Sequence, residues 1–122
     1  MKRKIQLLLL LACVGFVFHA SAQDDIVQVA PNSNKVILED SHVRVIEGWI
    51  KPGEKTAMHH HPGHTIYFTS GGTVRFTMKD GSTKETTVKT GEARWSDAVD
   101  HQAENIGKTT IKYVIVEPKM GS

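Results

Sequence analysis

The sequence predicts an all-β fold, a small antiparallel barrel or sandwich, preceded by a cleaved secretory signal. Apolar residues after Gln23 recur mostly at every second position, as in Val43 and Val45, or Val74, Phe76 and Met78. Clusters of turn-forming residues interrupt these runs at short intervals, and no amphipathic helix of useful length is visible beyond Gln23. Period two sends alternate side chains to opposite faces, so each run reads as a strand. Many short strands joined by tight turns indicate closed or stacked sheets.

The N-terminus reads differently. Met1-Lys2-Arg3-Lys4 forms a basic head, and Ile5 to Phe18 is a Leu-rich run without a charge. That run is too short to cross a hydrocarbon core of about 30 Å as a helix. Ala20-Ser21-Ala22 then supplies the small-x-small pattern of a signal peptidase site. The expectation is a signal peptide at 1–22, cleavage before Gln23, and one domain at 23–122. Leu10-Leu11-Ala12-Cys13 loosely resembles a lipobox, but the apolar run continues past Cys13 to Phe18, which argues against lipidation. A periplasmic or secreted protein with no stable membrane anchor follows.

Export changes the charge balance. Lys2, Arg3 and Lys4 are three of fifteen basic residues, so twelve remain against thirteen acidic ones, a net charge of −1. Such a domain has no basic patch to neutralise phosphates, and nucleic acid is excluded as a partner. The single cysteine, Cys13, lies in the signal, so no disulfide staples the domain. Stability must then come from one packed core, with metal or dimerisation as further sources.

Five clusters punctuate the strands: Lys51-Pro52-Gly53-Glu54, Ser70-Gly71-Gly72, Asp80-Gly81, Lys89-Thr90-Gly91-Glu92 and Asn105-Ile106-Gly107-Lys108. Asp80-Gly81 suits a two-residue type I′ hairpin joining Thr73–Lys79 to Ser82–Lys89. Ile111, Tyr113 and Ile115 alternate with Lys112, Val114 and Val116 in a terminal strand apolar enough on both sides to sit inside a sheet. His42 stands alone in what reads as a strand, a structural or surface histidine.

Of the seven histidines His19 lies in the signal, and besides His42 five remain: His59, His60, His61, His64 and His101. On an extended strand His59 and His61 share a face and His60 takes the other, so two imidazoles reach one point. A cysteine-free histidine set suits a divalent transition metal ion such as Fe, Mn, Ni, Zn or Cu, and not the oxygen cages of Ca or Mg. Read alone, the run is equally compatible with a solvated histidine-rich loop.

Gly53, five residues, His59-His60-His61 and then Tyr67-Phe68-Thr69-Ser70-Gly71 closely resemble the first motif of the cupin family. Gly91, followed by His101-Gln102-Ala103-Glu104-Asn105, resembles the second. The resemblance runs from Val36 to Glu117 and implies a small antiparallel jelly-roll barrel with His59, His61 and His101 as metal ligands. Two positions depart from the family pattern. The slot of its metal-binding glutamate falls on His64, which is either a fourth ligand or a group beside the ligands in the pocket. Asp97 and Val99 stand where proline and glycine are usual, which bears on loop shape.

The resemblance further implies a small-molecule pocket, and a homodimer, since such barrels commonly pair. Within the family the site serves oxygenases, isomerases and non-catalytic binding modules, so the fold leaves enzyme and sensor readings both open. Trp95, Tyr67, Met58 and Arg94 are candidate pocket residues from their closeness to the motifs. Asp97, Asp100 and Glu104, the acidic residues nearest His101, read as capping or solvent-facing groups.

Overall fold

Residues 24–119 are described by a computed structural model, and the proposed signal segment at 1–22 lies outside the described residues. The first element is a single helical turn, α1 (Ile26–Val29). Asp25 caps it: its Oδ1 accepts from Val27 N–H at 2.9 Å, and its own N–H donates to Gln28 Oε1 at 3.0 Å. This reciprocal Asp-x-x-Gln box overrides the alternating pattern that begins at Ile26, and the turn buries Ile26 in the core.

Nine strands follow: β1 (Asn34–Glu39), β2 (Val43–Ile50), β3 (His59–His61), β4 (His64–Ser70), β5 (Gly72–Met78), β6 (Thr83–Val88), β7 (Ala93–Ser96), β8 (Val99–Asn105) and β9 (Ile111–Pro118). They form two sheets, β1-β2-β9-β4-β7 and β3-β8-β5-β6. Every pairing is antiparallel. The five predicted turn clusters each separate consecutive strands, and β9 lies between β2 and β4, as its two apolar faces require. Val99 opens β8 opposite His61, so the residue that departs from the motif continues a ladder.

The two sheets enclose a core that includes Ile46, Ile50, Phe68, Val74, Ile111 and Ile115. Tyr113 belongs to it with its hydroxyl satisfied, donating to buried Asn34 Oδ1 at 2.7 Å. A Cβ at Gly48 would run into both partners, so this strand position must be bare. Val74, Phe76 and Met78 line one cavity and so share a face, as expected.

Two local expectations are corrected. Gly81 alone takes a positive φ, +87°, while Asp80 does not, so the β5–β6 tip is not type I′. Gly81 N–H bonds to Met78 O at 2.9 Å and Met78 N–H to Ser82 O at 2.8 Å, giving a three-residue loop with glycine at the bulge. Asp80 Oδ1 instead accepts from Ser82 N–H at 2.9 Å, which a type I turn permits. His42 lies in the bend between β1 and β2, with its side chain 77% exposed, because Asp40 Oδ1 captures the His42 and Val43 N–H groups and ends the strand there.

Candidate metal centre

All three residues of β3 are histidines. The ladder with β8 sets His59 opposite His101, His60 opposite Asp100 and His61 opposite Val99. Strand alternation sends His59 and His61 inward, 3% and 4% exposed, and His60 to the other face. His101 joins the inward pair, its ring stacked on Phe76 with centroids 4.9 Å apart. The imidazole centroids lie 4.7 Å (His59–His61), 4.9 Å (His59–His101) and 5.3 Å (His61–His101) apart. One potential ligand atom from each falls within 4.8 Å of the other two.

Hydrogen bonding orients the donors. His59 Nδ1 lies 2.8 Å from the Ala57 carbonyl, which can only accept, so Nδ1 carries the proton and Nε2 keeps its lone pair. That Nε2 lies 3.0 Å from His61 Nε2. Burial pushes His59 down to about 4, against the upward pull of its bond to Ala57, and neighbouring His61 lowers it further. Burial, reinforced by His59, His61 and His64, takes His101 to about 3. Converging imidazole nitrogens in a buried site, with His59 and His101 held unprotonated at neutral pH, are what a divalent transition ion needs, so the residues present fit such an ion.

His64 follows the Pro62-Gly63 break at the start of β4. It is 4% exposed and donates from Nδ1 to the Pro62 carbonyl at 2.8 Å, leaving Nε2 free. Its ring packs on His61 at 4.8 Å, yet it stands outside the three-histidine group. Burial lowers its pKa too. His64, His59 and His101 line a cavity of about 270 Å³, whereas His61 sits behind it.

The cavity walls are mainly apolar, with Phe68, Val74, Phe76 and Ile111 among them, and Arg94 and Trp95 also contribute. No carboxylate lines it among the described residues. Tyr67 and Met58, expected as lining residues, do not reach it; Tyr67 is 44% exposed. His60, on the opposite face as its parity requires, is partly buried against Asp100, its Nδ1 3.0 Å from Oδ1. Asp97 accepts from Trp95 Nε1 at 3.0 Å, and Glu104 pairs with Arg75 at 3.2 Å, in keeping with their reading as peripheral groups.

One residue beside the site was missed. Glu117 on β9 is 3% exposed, with Oε1 3.9 Å from His61 Nδ1. The alternation of Ile111, Tyr113 and Ile115 extends to 117 and would have placed it inside. Asn105, the last residue of the second motif, has a structural part: it is fully buried and donates to the Ile50 and Thr109 carbonyls at 2.8 and 2.7 Å.

Solved structures similar to this one share its architecture. A cupin domain from Bordetella pertussis superposes with a TM-score of 0.65 at 22% identity, covering 70% of this chain and 91% of that one. An RmlC-like cupin with a double-stranded β-helix fold from Methanocaldococcus jannaschii gives 0.59 at 15% identity, covering 85% and 86%. The polyketide cyclase RemF from Streptomyces resistomycificus gives 0.52 at 23% identity, covering 70% of this chain and 63% of that one. No curated protein sequence gives a significant match. Residues 49–117, which hold all four buried histidines, match the cupin domain family, and the chain belongs to that family.

Proposed function

We propose that this protein is an exported metal-binding cupin in which His59, His61 and His101 hold one divalent transition ion at the inner end of a small-molecule pocket. The observation that carries the reading is the convergence of three buried imidazoles, with ligand atoms within 4.8 Å of one another, beside a cavity of about 270 Å³. Periplasmic or secreted location rests on the N-terminal segment, outside the described residues. No helix among the described residues is long and apolar enough to cross a membrane.

The cavity suits a small, largely apolar organic molecule, which the aliphatic and aromatic walls would desolvate. A bound ion would supply Lewis-acid polarisation or a coordination point for such a molecule. His64, buried on the cavity side with Nε2 free, is the residue placed to hydrogen-bond that molecule or exchange a proton with it. This supports an enzyme of oxygenase or isomerase type.

A second reading, a metal or small-ligand binding or sensor module without turnover, is favoured by the absence of any lining carboxylate among the described residues. General-base work would then fall to imidazole alone. Metal analysis of protein purified from the periplasm without added metal, followed by an oxygen-uptake screen against small apolar acids and alcohols, tests both readings. Stoichiometric metal with turnover supports the enzyme, metal with saturable binding and no turnover supports the module, and absence of metal uptake refutes the metal centre in both readings.

A further inference from the structure

Two buried side-chain polar atoms among the described residues have no hydrogen-bond partner, His61 Nδ1 and Glu117 Oε1, and they face each other at 3.9 Å. That is about 1 Å beyond a normal hydrogen bond, a gap that a small side-chain rotation closes. The other Glu117 oxygen lies 3.3 Å from Arg44 Nη1. Arg44 is gripped in turn by both oxygens of Asp25, one of them at 2.9 Å from Nη2. Glu39 also lies 3.8 Å from Arg44 Nε and is paired by Lys119 at 2.9 Å, so two cations serve three carboxylates, which leaves one negative charge uncompensated, and the unsatisfied oxygen of Glu117 points at the back of His61.

The other imidazoles show what is missing. His59 and His64 each have Nδ1 fixed by a main-chain carbonyl two residues earlier, at 2.8 Å. No carbonyl does this for His61. We propose that Glu117 is the positioning carboxylate of the metal site: it accepts a hydrogen bond from His61 Nδ1–H, turns Nε2 toward His59 and His101, and sets a negative charge behind a neutral three-histidine set. Asp25 and Arg44 hold that carboxylate in place. The first motif offers no acidic ligand at His64, and the counter-charge arrives instead from the far end of the chain. This inference rests on the metal-binding reading above.

The test is zinc affinity, measured on the purified mature protein by competition with a chromophoric chelator, for wild type, Glu117→Gln and Asp25→Asn. Loss of a carboxylate behind a ligating histidine weakens metal binding by about 10 to 100-fold, the result expected for Glu117→Gln. Asp25→Asn, which lets Arg44 neutralise Glu117, is expected to weaken it several-fold. In the zinc-loaded, histidine-¹⁵N-labelled wild type, the His61 Nδ1–H proton resonates far downfield and exchanges slowly, and in Glu117→Gln it moves upfield.

Equal affinities of wild type and Glu117→Gln, or an unmoved His61 proton, overturn the proposal alone. Should Glu117→Gln fail to fold, Asp25→Asn decides, and unchanged affinity there overturns it. A wild type that takes up no zinc overturns the metal reading together with this one.

Discussion

His59 stands directly opposite His101 across the β3–β8 ladder, so two motifs some forty residues apart meet as one cross-strand pair. Neighbours in this register have Cβ atoms about 5 Å apart, close enough for both rings to serve one ion. Alanine at His59, His61 or His101 should therefore strip metal on dialysis, each removing one of three donors. His60→Ala should retain it, since that ring faces Asp100 on the other side. His64→Ala should weaken binding by no more than about 10 to 100-fold. Metal content by plasma mass spectrometry reads all five. Loss from His60→Ala equal to that from His59→Ala would abolish the site as described, and equal loss from His64→Ala would place His64 among the ligands.

Acid should destabilise the metal-free protein before it affects most of its carboxylates. Burial holds His59 down to about 4 and His101 to about 3, whereas both titrate near 6.5 when unfolded. Between those values the unfolded chain binds more protons than the folded one. The stability present above about pH 6.5 is thus lost as pH falls toward 4, by up to about 1 kcal/mol per pH unit for each histidine. Urea midpoints at about pH 5, 6 and 7 measure this, and equal midpoints would contradict it.

Asn105→Ala should unfold more readily than wild type without touching a ligand. It removes two donors from the Ile50 and Thr109 carbonyls and the acceptor of Gly107 N–H, all at or below 3.0 Å. Leaving such buried groups unpaired costs about 1 to 3 kcal/mol each at most, and a total near 3 kcal/mol is expected after relaxation. Thermal melting with and without zinc checks it. A loss under about 0.5 kcal/mol would show that water satisfies these groups.

Export should yield a chain beginning at Gln23. Intact mass of material from the periplasmic or culture fraction reads the cleavage point. A species that retains the first 22 residues, or one lipidated at Cys13, would make the protein membrane-attached.

Much of this was legible because alternation in a sheet is local. His59, His60 and His61 reveal their faces by parity alone, and the five turn clusters fix where strands stop. Three things were hidden by interactions that local pattern does not carry. The single turn of α1 depends on Gln28 reaching back to Asp25, a signal three residues long inside an alternating run. The Asp80-Gly81 tip was misjudged because one positive φ suffices when a third residue enters the loop. Parity with Ile111, Tyr113 and Ile115 turns Glu117 inward, but what makes a buried carboxylate tolerable there, Arg44 on β2 opposite it, is a long-range pairing. His64 remained ambiguous since Pro62-Gly63 breaks the parity that would have oriented it.

The grip of Asp25 on Arg44 also bears on where this molecule can be cut. The match to the cupin domain family spans residues 49–117, a natural choice for a minimal recombinant fragment. Such a fragment would discard β1 and most of β2, exposing the flank of β9 from Tyr113 to Glu117. It would also discard the Asp24 carbonyl that takes the His60 N–H at 2.7 Å and closes the free edge of β3. The shortest piece expected to fold thus starts near Asp24, and any tag or fusion partner should join through a flexible spacer placed ahead of it.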